Sequence, residues 1–281
     1  MSGLAIKVSN VDWNKNNLGS VNYGSDNGNN INRITTVSEK AYAIYEDYIT
    51  KSERPDSQCL LLLINDLVKE GLDQKCKGLF YLASKHQNTN HIKYSIIGSN
   101  RLDLTYDQPQ ILINGIRSNV KSVVIFDHNK YNLGTVDSNL CLVFVMSEAS
   151  SSGIDWGGEE AISHPHAFIS SGLGKYMEGS LLRWDNDSIS REEDKQENDG
   201  VYVIHVNKKS LVYKHKNVTI NKQLSAQSMA KFCPRLMAYS TIEDSPSEGV
   251  MKLYATFSRE DLTAADINKI HEIFTKYEHL L

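Results

Sequence analysis

Residues Val250-Met-Lys-Leu-Tyr-Ala-Thr-Phe257 are followed, after a short polar connection, by Leu262-Thr-Ala-Ala-Asp266. The first stretch is apolar and aromatic and is bounded by polar residues, which predicts a strand. In the second stretch, Thr263 stands where a helix N-cap is expected. Asp266 comes three residues later, in the first turn, where the helix dipole favours a carboxylate. The sequence therefore predicts a last strand followed by a C-terminal helix.

The predicted C-terminal helix extends from Thr263 to Leu281 and is amphipathic. Its apolar residues recur at three- and four-residue steps, and its other face is polar. We expect the apolar stripe to face inward, as the last packing element of a larger domain. The stripe consists of Ile267, Ile270, Phe274 and Tyr277.

Short apolar stretches with turn residues between them occupy most of the chain from Lys77 onward. This spacing is typical of a β-sandwich or barrel, and the helices that would alternate with strands in a parallel fold are missing from the pattern. Residues 186–199 are almost wholly polar and predict a solvated loop. The further predicted strands are 78–83, 93–97, 110–113, 122–126, 140–146, 167–169, 180–184, 200–206, 210–214 and 235–239.

Two helices are predicted before these strands. Thr36-Val-Ser-Glu39 matches a capping box with Thr36 as the N-cap. A second helix is predicted after Pro55, which suits a first helical turn, and Gly71 is a natural stop. The two apolar faces are Ala41, Ile44, Tyr45, Tyr48 and Ile49 in the first helix, and Leu60, Leu63, Ile64, Leu67 and Val68 in the second.

Residues 1–35 form a polar arm that is rich in Asn, Gly and Ser. Such an arm can be a flexible tail or a segment that another subunit orders. The residues that we predict to take part in assembly are Trp13, Leu18 and Val21. The predicted organisation is an arm with a two-helix attachment region over residues 1–76, and a sandwich with its closing helix over residues 77–281.

Composition limits the classes of function. The 281 residues carry a net charge of −4 without a Lys/Arg cluster, so the prediction is no nucleic-acid partner. No apolar run reaches the roughly 18 residues of a membrane span, and no signal peptide is visible, so we expect synthesis in a bacterial cytoplasm. The cysteines are spaced too widely for a zinc site or a disulfide framework and predict buried thiols. They are Cys59, Cys76, Cys141 and Cys233.

The densest group of potential ligands lies between residues 155 and 166. Carboxylates and imidazoles this close could bind a metal, and carboxylate or carbonyl oxygens could hold calcium. The alternative is a surface loop in which Gly157-Gly158 sets a turn and the histidines are solvated. The candidate metal ligands are Asp155, Glu159, His164 and His166. No other cofactor is predicted.

Three aromatic residues could form a platform for a sugar ring: Trp156, Tyr176 and Trp184. Stacking on a sugar needs a flat, exposed apolar surface with polar neighbours. The alternative is that Trp184, in the predicted strand Ser180-Leu-Leu-Arg-Trp, belongs to the core. Both interpretations remain open from the sequence.

Three stretches resemble proteins with concanavalin-like or laminin-G-like domains. Gly200 to Val218 resembles a hairpin of those domains, although Asn217 is followed by Val where Gly is usual. Lys252 to Ile270 resembles their closing strand and helix. Ile6 to Val21 is similar to an opening found in phage and prophage proteins of Bacteroidetes hosts, although Trp13 stands where Phe is commoner.

The resemblance implies a mainly β fold, namely a concanavalin-like antiparallel β-sandwich (jelly roll). An N-terminal arm and a helical pair would precede it, and a C-terminal helix would close it. It also implies a virion structural protein, a tail or head-decoration fibre component that forms homo-oligomers with other virion proteins as partners. The sandwich of such a protein could bind a host-surface glycan.

Two other functions remain as alternatives: a carbohydrate-binding module of a gut bacterium, and a divergent glycoside hydrolase. A hydrolase needs two carboxylates across a cleft. Glu159 and Glu160 are adjacent, so on a strand they would point to opposite faces. No nucleophile elbow, phosphate loop or dinucleotide fingerprint is present. The sequence therefore predicts a non-catalytic protein.

Overall fold

The computed structural model describes residues 20–21, 35–52, 58–83, 90–98, 102–106, 110–117, 122–126, 140–148, 156–159, 166–170, 180–184, 187–191, 199–207, 210–224, 235–236, 247–258 and 261–279. The helices are α1 Glu39–Ser52, α2 Gln58–Lys69, α3 Asn90–Lys93 and α4 Ala264–Tyr277, with a 3-10 turn at Leu72–Gln74. The strands are β1 Ser20–Val21, β2 Thr35–Thr36, β3 Cys76–Tyr81, β4 Leu102–Tyr106, β5 Gln110–Leu112, β6 Gly115–Arg117, β7 Ser122–Phe126, β8 Leu140–Glu148, β9 Trp156–Glu159, β10 His166–Ser170, β11 Ser180–Trp184, β12 Asp187–Arg191, β13 Gly200–Asn207, β14 Ser210–His215, β15 Val218–Gln223, β16 Arg235–Leu236 and β17 Val250–Ser258.

The strands form two large antiparallel sheets and one small one. The central sheet has the order β15-β14-β13-β8-β17-β6-β5, and β3 pairs with β17 on the edge that β6 also uses. The outer sheet has the order β12-β11-β10-β9-β16-β7-β4. The two-residue strands β1 and β2 pair with each other just before α1.

The central sheet is covered on both faces. Every side chain of β8 from Cys141 to Met146 is buried. Because successive side chains of a strand point to opposite faces, this burial requires a packing layer on each side. Phe144 faces a core that also contains Leu102 and Leu236 of the outer sheet. Val143 faces a second core that the helices α1, α2 and α4 complete. The molecule therefore has three layers: helices, central sheet and outer sheet.

A row of aromatic side chains crosses the central sheet on the face toward the outer sheet. Its members are directly opposite one another on five adjacent strands: Phe80, Tyr254, Phe144, Tyr202 and His215. The Phe144 and Tyr202 rings stack with centroids 4.8 Å apart, and the Tyr202 and His215 rings stack at 4.0 Å. Cross-strand aromatic pairs stabilise a sheet beyond their buried area. This aromatic row fixes the register of the sheet.

Helix α4 confirms the predicted C-terminal helix. Thr263 is its N-cap, and a full capping box joins Thr263 to Asp266. The Thr263 backbone N–H donates to the Asp266 carboxylate at 2.6 Å, and the Asp266 N–H donates to the Thr263 hydroxyl at 3.2 Å. The predicted apolar stripe, Ile267, Ile270, Phe274 and Tyr277, is buried. Phe274 meets Phe257 of β17 edge-on at 6.3 Å, so α4 closes the helical side of the central sheet.

Helices α1 and α2 are present where the sequence predicts them, but α1 starts later. The prediction that Thr36 is the N-cap is wrong, because Thr36 belongs to β2. The Ala41 backbone N–H donates to the Ser38 hydroxyl at 3.2 Å, so Ser38 caps the first turn. The Ser38 backbone N–H in turn donates to Asn65 Oδ1 at 2.9 Å, a buried amide on α2. This bond fixes the start of α1 against α2.

Two predictions about the strands are also wrong. The predicted strand 93–97 is not a full strand: Lys93 ends α3, and Ile97 forms an isolated bridge with Leu79 of β3. The Ser95 hydroxyl accepts a hydrogen bond from the Leu79 N–H at 3.0 Å. The predicted loop 186–199 contains β12, which pairs along the whole of β11. Its polar composition fits an edge strand, which needs few apolar residues.

We expect Phe144→Ala to lower the free energy of unfolding by roughly 3–5 kcal/mol, because it removes the ring at the centre of the aromatic row and leaves a cavity. Urea denaturation at neutral pH measures this change. Ile113→Ala is the control: Ile113 is 66% exposed in the turn between β5 and β6, so its loss should cost less than about 0.5 kcal/mol. Equal losses in the two variants would contradict the double-sided burial of β8.

Candidate functional site

Three adjacent strands of the outer sheet contain four of the residues that the sequence singles out. Trp156 and Glu159 are the first and last residues of β9. His166 begins β10, and Trp184 ends β11. Strands β9, β10 and β11 are neighbours in the sheet. Residues separated by as many as 28 positions in sequence are therefore brought onto one small part of the sheet.

The register defines how these four positions are arranged. Glu159 is directly opposite His166, so one potential metal ligand from each strand shares a cross-strand pair. Trp156 is opposite Ile169, and Ile169 is opposite Leu182, two residues before Trp184. With strands about 4.8 Å apart and about 3.4 Å per residue, the two tryptophan positions lie roughly 12 Å apart. Trp156 is opposite the buried Leu236 of β16, so the alternation of a strand puts both tryptophan positions on the core-facing side of the sheet and Glu159 and His166 on the other side. We call these four positions the β9–β11 patch.

The prediction of a Gly157-Gly158 turn in a surface loop is wrong for these residues, because both glycines lie inside β9. Gly157 is opposite Phe168 on β10 and opposite Arg235 on β16. Glycine weakens the sequence signal of a strand, and it is often found where another backbone or a ligand approaches closely. The sequence signal that could have revealed β9 is the apolar run Ala167-Phe-Ile169 of its partner.

Several predicted site residues lie outside the described residues. These are Trp13, Leu18, Asp155, His164 and Tyr176. Val21 lies in β1, opposite Thr35. The glycan, metal and assembly sites therefore remain predictions. In the part of the chain with described side chains, no three His, Cys, Asp or Glu residues come together in a way that could hold a metal ion.

Buried histidines are concentrated on the side of the central sheet formed by β13 and β14. His205 is opposite Cys141 and is 6% exposed. Burial lowers the pKa of His205 to about 4. His215 is 1% exposed and its Nδ1 donates to the Val201 carbonyl at 3.0 Å. Burial lowers the pKa of His271 on α4, and the nearby Lys214 and His215 lower it further. His205 and His271 are thus held neutral at pH 7.

The cysteines that the structure describes are free thiols, as predicted. Cys76 and Cys141 are buried and Cys59 is partly buried, while Cys233 lies outside the described residues. Cys76 and Cys141 are both opposite Phe257, one on each side of β17. Two strand spacings, about 9.6 Å, exceed the reach of a disulfide. Burial raises the pKa of both thiols, so they are inert core residues.

Comparison with known proteins gives a likeness of fold. No family model matches the chain, and no curated relative matches it. The chain is similar to a mutant Trypanosoma rangeli sialidase displaying trans-sialidase activity, with a TM-score of 0.51 and 7% identity over 85% of this chain; it spans 38% of the sialidase chain. It is also similar to domain 4 of AbnA, a GH43 extracellular arabinanase from Geobacillus stearothermophilus, with a TM-score of 0.43 and 10% identity over 70% of this chain and 98% of that domain. For the exoplasmic/lumenal domain of VIP36 the TM-score is 0.37 and the identity 8%, over 69% of this chain and 94% of that domain.

The predicted fold class is confirmed. The chain is mainly β, an antiparallel β-sandwich with a helical pair before it and a helix after it. Across the described residues, each helix is too short or too polar to cross a bilayer.

We expect the stability of the chain to fall as the pH is lowered from 6.5 to 4, with His205 as a main cause. The folded state holds His205 neutral with a pKa of about 4, whereas the unfolded state takes up a proton near pH 6.5. The stabilisation from neutral His205 is thus complete above pH 6.5 and is lost as the pH falls toward 4, by about 3 kcal/mol. Urea midpoints measured from pH 7.5 to 4.5 report this loss.

The His205→Gln variant should lose less stability over that pH range than the unmodified chain. His279→Gln is the matched control, because the His279 side chain is 85% exposed and its removal should leave the slope unchanged. Identical slopes for all three proteins would show that His205 does not contribute to acid sensitivity.

Proposed function

We propose that this chain is a non-catalytic, glycan-binding β-sandwich protein that serves as a structural component of a phage virion. The β9–β11 patch is the observation that carries the binding part of the proposal. Within this patch, Glu159 and His166 share the face that is turned away from Leu236 and the core. A carboxylate and an imidazole on that face can bind the hydroxyls of a sugar.

The layering of the fold favours the outer sheet as the ligand-binding layer. Strands β3, β8, β13 and β17 have both faces buried, so they offer no surface to a ligand. Strand β15 lies at the edge of the central sheet, and the side chains that it exposes are all polar and uncharged: Thr219, Asn221 and Gln223. Among the strands with described side chains, those of the central sheet therefore lack an exposed aromatic platform. The cross-strand pair of Glu159 and His166, on the outer sheet, therefore remains the candidate for contact with a ligand.

The pairing of Glu159 favours binding over hydrolysis. A glycosidase requires two carboxylates that face each other across the scissile bond, about 5–10 Å apart. The cross-strand partner of Glu159 is His166, and Glu160 lies outside the described residues. An imidazole next to a carboxylate suits a bound cation or a sugar hydroxyl better than it suits this two-carboxylate mechanism.

The virion assignment is supported by the resemblance of the N-terminal arm, the helical pair and the closing helix to phage and prophage proteins. Such a protein would be a homo-oligomer in a tail or head fibre, with other virion proteins as partners. Mass spectrometry of purified virions from the source phage tests this assignment. If the chain is missing from particles that contain the capsid and tail proteins, the virion assignment is wrong. The glycan-binding proposal would then apply to a bacterial carbohydrate-binding module.

We expect the full-length chain to bind a restricted set of oligosaccharides on a glycan array, and Glu159→Ala to weaken that binding at least tenfold. Loss of a hydrogen bond to a charged group, about 1.5–3 kcal/mol, corresponds to such a change. A parallel array with EDTA reports whether Asp155, Glu159, His164 and His166 bind a cation that recognition needs. Glu159→Gln tests the absence of catalysis, because no hydrolysis product should form with either protein.

Phe144→Leu is the matched control, since it alters the buried aromatic row and not the β9–β11 patch. Its binding should equal that of the unmodified chain. Undiminished binding by both Glu159→Ala and His166→Ala would place the glycan site elsewhere. Binding to no oligosaccharide at all would refute glycan recognition.

A further inference from the structure

The two sides of helix α4 are held very differently. Toward α2, the helix is fixed by a series of charged contacts. Lys276 Nζ lies 2.6 Å from the Asp66 carboxylate, and the Tyr277 hydroxyl donates to the same carboxylate at 2.8 Å. At the start of the helix, Lys75 Nζ donates to Asp266 at 2.9 Å. We call this side the α2 flank.

The other side of α4 faces β13 and β14, and two of its polar side chains lack hydrogen-bond partners. His271 and Thr275, one helical turn apart, define this flank, which we call the strand flank. His271 Nε2 and Thr275 Oγ1 are both buried and have no hydrogen-bond partner. Leaving a buried polar group unpaired is costly, so such groups in a folded protein often mark strain or a functional role.

The groups around His271 do not favour its charged form. Burial is the main cause that lowers the pKa of His271, and Lys214 and then His215 of β14 lower it further. His215 acts from the other face of the sheet, where it stacks on Tyr202. Lys214 Nζ donates to the Thr219 hydroxyl of β15 at 3.1 Å, which keeps the ammonium group on this side of the sheet. From β13, the titratable group on the helix-facing side is His205, which is itself buried and neutral. Just beyond α4, the C-cap Glu278 follows two turns after His271. Lys252 of β17 donates to the Glu278 carbonyl at 2.9 Å, and His279 pairs with the Glu278 carboxylate at 3.0 Å.

We propose that His271 is an acid-sensitive latch: proton uptake by its imidazole releases the strand flank of α4 from β13 and β14, while the α2 flank keeps the helix attached. In the docked state the imidazole is neutral and its Nε2 is buried. Release returns it to water, where it takes a proton from solvent near its ordinary pKa of about 6.5. Because the released state binds the proton more readily, docking is complete above that pH and weakens as the pH falls. Release opens the packing between the strand flank and β13, while Tyr277 stays bound to Asp66.

Hydrogen–deuterium exchange on the full-length chain tests this latch. After correction for the intrinsic pH dependence of exchange, peptides covering 270–277 should exchange several-fold faster at pH 5.5 than at pH 7.5. Peptides covering 140–148 should keep their protection, because β8 is buried on both faces. If 140–148 loses protection together with 270–277, the acid response is global unfolding and the latch is refuted.

His271→Gln keeps a polar side chain but cannot titrate in this range, so its α4 should show no acceleration between pH 7.5 and 5.5. Lys214→Met provides a second variant, which removes a charge that opposes protonation and should reduce the pH dependence. His205→Gln is the matched control, a buried histidine of β13 whose loss should leave the acceleration in α4 intact. Acceleration that persists unchanged in both His271→Gln and Lys214→Met overturns the proposal.

Discussion

The burial of the central strands on both faces is the constraint on which the other features depend. In β8, side chains alternate between the outer-sheet core and the helical core, and none from Cys141 to Met146 reaches solvent. An antiparallel sheet with one solvated face would alternate apolar and polar residues. Because both faces of β8 are buried, the side chains on each face must be apolar. The helices are thus structurally required, since without them the row Cys141, Val143 and Val145 would be exposed.

The same constraint explains why α4 is anchored so firmly at one side. A helix that covers an apolar sheet face contributes through burial, which is not directional. Its position must therefore be set by polar contacts. The capping box of Thr263 and Asp266 fixes where the helix begins, and Lys75 links that first turn to the segment before β3. Burial works against the charge of Asp266, but hydrogen bonds from Thr263 and Lys75 outweigh it and lower the pKa of this carboxyl. The cap therefore stays charged and intact at neutral pH.

The sequence predicts those elements whose signal is strong and local. Helix α4 and the strands β8 and β13 have periodicity, caps or apolar runs that few other structures would tolerate. The sequence predictions fail where a tertiary contact overrides the local sequence signal. Ser38 caps α1 in place of Thr36 because Asn65 of α2 binds its N–H. Lys216 adopts a positive φ of 48° in the β14–β15 turn, a conformation usually left to Gly or Asn. Strands β9 and β12 form from glycine-rich and polar segments whose partners, and not their own propensities, determine the pairing.

Polar residues that are buried in the central sheet depart from its apolar packing, and their positions are therefore informative. Strands β8 and β17 contain no histidine, whereas β13 and β14 bury His205 and His215, where aliphatic side chains would pack without a desolvation cost. On the helical side, His271 of α4 has a pKa that burial lowers, with a further contribution from Lys214. Where most residues of a sequence suit the fold and those at one contact do not, that contact is often a functional or strained site. The two proposals thus concern different layers of the fold: the ligand site is proposed on the outer sheet, and the acid response is proposed at the contact between the helical layer and β13.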